Sequence, residues 1–134
     1  MRLELFLLAT FAIWPFSSGK NYHMIADQSV PAASGTVHAE RDKDNRNTDL
    51  DIKVNHLARP SNLNPSATTY LVWIRPSGGD AVKQGAIGVD NNLKGEMHAV
   101  TVAKNFEIFI TPEQSDTVTV PSALEVLQTH VSMD

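Results

Sequence analysis

The stretch TDLDIKVNHL, residues 48–57, alternates without a break: Leu50, Ile52 and Val54 fall on one side, and Asp49, Asp51, Lys53 and Asn55 on the other. A period of two belongs to a strand with one buried and one wetted face, whereas a helix would scatter the same residues around its circumference. The signal recurs in short pieces. SGTVHAE (34–40) sets Val37 and Ala39 against Thr36, His38 and Glu40. In TTYLVWIR (68–75), Tyr70, Val72 and Ile74 share one face and Leu71 and Trp73 the other, so both faces are apolar. A central strand is expected there, with Trp73 plugging the middle of the fold. AVKQGAIGV (81–89) is weaker, and its Gly85 and Gly88 mark an edge or a bulge. EMHAVTV (96–102) and FEIFIT (106–111) follow, the second with Phe106, Ile108 and Ile110 aligned inward. A closing strand around 125–131 makes seven. SALEVLQTH also suits a short helix, with Ser122 as its N-cap and Glu125 completing a capping box.

Turn chemistry separates these segments. ARPSNLNPSA (58–67) is a polar connection with two prolines, PSGGD carries Gly78 and Gly79, and DNNLKG follows the glycine-rich strand. Seven short strands spaced by about a dozen residues predict an all-β fold, a seven-stranded antiparallel immunoglobulin-like β-sandwich over residues 34–134. Residues 20–33 hold no sustained period and read as a leader or linker.

Residues 1–19 are of another kind. Arg2 gives a short positive start, residues 5–16 are apolar except for Thr10, and Ser17, Ser18 and Gly19 offer small residues for cleavage. This is the pattern of a secretory signal peptide, so a periplasmic or secreted protein is expected. The apolar run is shorter than the roughly 20 residues that span a bilayer, so no stable membrane span is expected. The chain has no cysteine, which excludes disulfides, thiolate zinc sites, cysteine nucleophiles, blue copper and lipoprotein attachment. With a net charge of −4 it also has no basic field for nucleic acid.

Residues 70–73, Gly78 and Gly79, residues 85–87, residues 90–92 and residues 106–113 form an ordered set: an aromatic strand, a glycine turn, a glycine-containing strand, an Asp/Asn turn and a second aromatic strand. In this the chain resembles the extracytoplasmic β-sandwich domain of anti-sigma-K-type factors, over about half of the mature chain. It is also similar to small exported bacterial β-sandwich proteins, through a hairpin (42–50), then His56 to Pro60, then Trp73. The resemblance implies a sandwich acting by protein contacts. The family's sigma-binding domain and membrane span are expected to be absent, because only 33 residues precede Ser34, so direct sigma-factor binding is not expected.

RDKDNRN (41–47) invites a calcium reading through Asp42 and Asp44. Counted from Asp42, however, Arg46 takes an oxygen-ligand position, Asn47 replaces the glycine and Lys53 the closing glutamate. A hairpin tip explains the Asp and Asn residues better, since their side chains cap turns. Four histidines lie in the domain, His38, His56, His98 and His130, with no H-x-H or H-x-x-x-H among them. If the first and last strands pair, His38 and His130 become neighbours and weak metal candidates. No G-x-S-x-G occurs, and the glycines match no phosphate-binding loop, so neither an enzyme nor a cofactor is expected. Phe109 lies on the face opposite Phe106, Ile108 and Ile110. It is either covered or, with Trp73, an exposed apolar anchor. The reading is an exported, non-catalytic module that contacts an envelope or extracellular protein. The alternative is a carrier of a small ligand or metal using surface His and Asp.

Overall fold

The computed structural model describes residues 19–133, so the signal-peptide reading of 1–19 lies, apart from Gly19, outside the described residues. Eight strands follow one another: β1 (Lys20–Ala26), β2 (Ser34–Arg41), β3 (Thr48–Asn55), β4 (Thr69–Pro76), β5 (Val82–Ile87), β6 (Gly95–Thr101), β7 (Asn105–Glu113) and β8 (Leu127–Ser132). The single helical turn, α1 (Pro60–Leu63), lies in the polar connection and starts on a proline whose missing N–H costs nothing there. All pairings are antiparallel, in the order β5-β4-β7-β8-β1-β2-β3-β6.

This sheet curls until its ends nearly meet. Val37, Ala39, Leu50, Ile52 and Val54 from one half pack in a single core with Tyr70, Val72, Ile74, Phe106, Ile108 and Ile110 from the other. At the closing seam β5 and β6 approach through small residues. A Cβ on Gly85 would sit 3.1 Å from Met97 Cε, and one on Gly95 would overlap the Gly88 carbonyl. Gly85 also adopts φ +149° beside a bulge. Val72 pairs with Gly85 and Trp73 with Lys83, leaving Gln84 as the extra residue on edge strand β5. Both the edge and the bulge expected from the glycines are present.

Three expectations change. Lys20–Ala26, read as linker, is strand β1. It pairs with β2 over Lys20–Met24 and with β8 only at Ile25 and Ala26, and so bridges the two halves of the sheet. Its alternation is diluted because Ile25 points to solvent while Tyr22 and Met24 point in, which leaves apolar residues on both sides. The strand count is therefore eight. Second, Trp73 does not plug the interior. On β4 the inward positions belong to Tyr70, Val72 and Ile74, so Trp73 faces outward with Leu71. Third, of the two readings of Phe109 the covered one holds, so it is no exposed anchor. It joins Leu71 and Trp73 in a second cluster, all fully buried, because Val118, in the strap segment 114–122, and Ala81 pack against them from outside while the Arg75 guanidinium lies 4.4 Å over the Phe109 ring.

That strap is fastened by a polar chain. Trp73 Nε1 donates to Thr111 Oγ1 (2.8 Å), Thr111 donates to Glu113 Oε2 (2.6 Å), and the same oxygen accepts the Ser122 amide (2.8 Å). Val118 and Ala81 pack on the aromatic pair, and Lys83 donates from Nζ to the Asp116 and Val118 carbonyls. Beyond the strap the chain enters β8, so the closing segment is a strand rather than a helix. No helix among the described residues is long and apolar enough to cross a membrane.

Candidate functional site

Among the described residues nothing covers the outside of β1-β2-β3-β6 in this way. Alternation on each strand sends the polar residues there, and the register aligns them in rows. One row runs Asn21, His38, Asp51, His98; the next runs His23, Thr36, Lys53, Glu96; Glu40 and Asp49 stand opposite each other beyond the first. The face forms a trough of about 580 Å³ lined by residues of all four strands. A second hollow of about 560 Å³ adjoins it through Lys53, Asn55 and Glu96 and reaches the β5–β6 turn at Asp90 and Lys94.

The imidazoles of the first row are held by their cross-strand neighbours. His98 Nδ1 lies 2.7 Å from Asp51 Oδ1, and His38 Nδ1 lies 2.8 Å from Asn21 Oδ1, with its Nε2 3.5 Å from Glu40. The Asp51 carboxylate accepts from His98 and raises its pKa above the ordinary imidazole value, with further help from the charge of Asp49. At the rim, Asp90 accepts the backbone amides of Lys94 and Asn92, and its pKa is lowered, chiefly by the Lys94 amide. Burial acts the other way on Tyr70 in the core, pushing its hydroxyl up to about 12 while it donates to the Ala58 carbonyl.

The four metal candidates are kept apart. β1 lies between β2 and β8, so the pairing that would join His38 to His130 does not form, and His130 bonds instead to Asn105 (2.6 Å). Asp42 and Asp44 occupy the tip of the β2–β3 hairpin. There the Asp42 carboxylate accepts the Asp44 amide, Arg46 donates its amide to the Asp42 carbonyl, and Arg46 takes a positive φ of 63°. The Asp42 carboxylate thus caps the turn. Among the described residues no three His, Asp or Glu side chains are grouped to hold a metal ion. His56, at φ 55°, ends β3 in a turn rather than joining the face.

Sequence reasoning placed His38, Asp51, Lys53, Glu96 and His98 on strands but could not align them. It missed Asn21 and His23 with β1. Their only mark is that both are polar and two residues apart, which four positions of mixed character do not distinguish from a linker. Compared with known proteins, the chain matches no family model, and no curated protein or solved structure is significantly similar to it.

Proposed function

We propose that this chain is an exported, non-catalytic binding module, an immunoglobulin-like sandwich similar in role to the extracytoplasmic domain of anti-sigma-K-type factors. In this reading it acts through the open face of β1-β2-β3-β6 on a protein of the envelope or the extracellular space. One observation carries it: of the two outer faces, the apolar one is sealed by the chain's own strap, whereas the polar one is left as a four-stranded trough. Strand pairing fixes the point from which each side chain on this face leaves the backbone, and such preorganisation reduces the entropy lost on association. The histidines there are held by Asn21 and Asp51, the arrangement of positioned surface groups.

The test is site-specific photo-crosslinking in envelope and culture-medium fractions. A crosslinker replacing Thr36, in the middle of the trough, is expected to yield a discrete partner adduct, and one replacing Val120 on the strap none. Equal labelling from both positions, or none from Thr36, would overturn the reading.

A second reading, a carrier of a small ligand or metal, is favoured by one pair. The exposed His98 ring commits Nδ1 to Asp51, the contact by which a carboxylate orients a histidine that ligates metal through its other nitrogen. Zinc or copper titration followed through the His98 ring resonances tests it. Broadening or shift at one equivalent supports a carrier, and unchanged resonances reject it.

A further inference from the structure

We propose that the partner of the open face is cationic, a lysine- or arginine-rich polypeptide segment lying extended over β2, β3 and β6. The inference rests on the binding reading above and adds the chemistry of what is bound. It begins from charge. Glu40, Asp49, Asp51 and Glu96 all face outward on these three strands, against one basic residue, Lys53, so with neutral imidazoles the face holds three net negative charges. Among the described residues Glu40 contacts the His38 imidazole and Asp51 the His98 imidazole, which become ion pairs only when those rings are protonated, and neither Asp49 nor Glu96 has such a contact.

Spacing supplies the second step. Asp49 and Asp51 are two residues apart on one strand, about 6.8 Å, which is also the repeat of same-side side chains in an extended peptide. Glu40 stands directly opposite Asp49, one strand spacing of about 4.8 Å away, so a basic side chain placed over Asp49 meets two carboxylates, and the next one on the same side of the peptide meets Asp51. Lys53 ends the acidic row on β3 and faces Glu96, which sets the register by repelling a cation placed one step too far.

Other ligand classes suit the face poorly. Its outward residues on β1, β2, β3 and β6 include no Phe, Tyr or Trp, so it offers no platform on which a base would stack. Its sign opposes phosphate and anionic lipid. A flat polar trough with separated carboxylates matches a chain of separated cations, and the expected contacts are rim-type pairs that weaken with salt.

A fluorescent oligolysine peptide titrated against the mature protein at low ionic strength tests this, with oligoglutamate as the counter-probe. Oligolysine is expected to bind and oligoglutamate not. Asp49→Asn, Asp51→Asn and Glu96→Gln combined should weaken oligolysine by about tenfold, as expected for three surface ion pairs. Asp44→Asn, Asp80→Asn and Asp116→Asn combined remove as much charge elsewhere and should leave binding within about twofold. No oligolysine binding, or equal loss in both triple variants, overturns the proposal. If oligolysine fails while the Thr36 crosslink still captures a partner, the binding face stands and its cationic specificity falls. Matching thermal unfolding of the variants shows that folding is not the cause.

Discussion

The two outer faces of this curled sheet are built on the same backbone and have opposite fates. Outside β4 and β7 stand Leu71, Trp73 and Phe109, and Ala81 and the strap's Val118 pack over them. Outside β2, β3 and β6 stand Thr36, His38, Asp51, Lys53, Glu96 and His98, and nothing among the described residues folds over them. An apolar face left in water would cost about 25 cal/mol per Å², so covering it stabilises the fold. A face of hydrated polar groups gains nothing from a cover. Stability is therefore concentrated on one side of the molecule and availability for contact on the other.

The contrast can be broken first at Trp73. Trp73→Ala removes the largest fully buried side chain and the first donor of the polar chain, and it should cost about 3–5 kcal/mol in urea unfolding. A loss below about 1 kcal/mol would mean that the strap collapses onto the gap and that the covered face contributes little.

Glu113→Ala should come next. It leaves the Thr111 hydroxyl and the Ser122 amide without their shared acceptor at a buried position and should cost about 2 kcal/mol. Limited proteolysis should then cut within 114–126 before the strands. Cleavage elsewhere first would show that Glu113 does not fasten the strap.

Lys83→Met removes the two bonds from β5 to the strap carbonyls and should cost about 1 kcal/mol. Amide exchange should accelerate around Val118 while β2 and β3 stay protected. Uniform acceleration would make the strap part of the global unfolding unit.

The smallest effect belongs to the open face. Thr36→Ala with Asp51→Asn should change stability by no more than about 0.5 kcal/mol. It should also return the His98 pKa toward the ordinary imidazole value, because Asp51 is the main cause of its rise. The sign follows from that rise. The pair's contribution is present below the unfolded imidazole pKa and disappears as pH climbs through the higher folded value. A His98 titration unmoved by Asp51→Asn, followed by NMR, would remove the Asp51 pairing from the description of this face.

Much of the wall was legible along the chain. The alternation at 34–40, 48–57 and 68–75 predicted β2, β3 and β4 nearly to the residue, and Gly85 marked the bulge. The hairpin tip at Asp42 and Asp44 followed from failed calcium spacing and turn chemistry. β1 was not legible, since Ile25 puts an apolar side chain on its solvent side, opposite Tyr22 and Met24, and blurs the alternation. The fate of Trp73 and Phe109 was not legible either. Periodicity reports that a side chain faces outward, and only a distant segment decides whether outward means solvent.

By itself the sequence determined which segments are extended and which of their side chains share a side, because backbone sterics and alternation act between near neighbours. Tertiary structure decided which rows those side chains form. Asn21, His38, Asp51 and His98 come from four strands as far apart in the chain as β1 and β6, and only the pairing register sets them side by side. That register depends on how the whole core closes, since a slip of one residue would turn every strand's buried side outward.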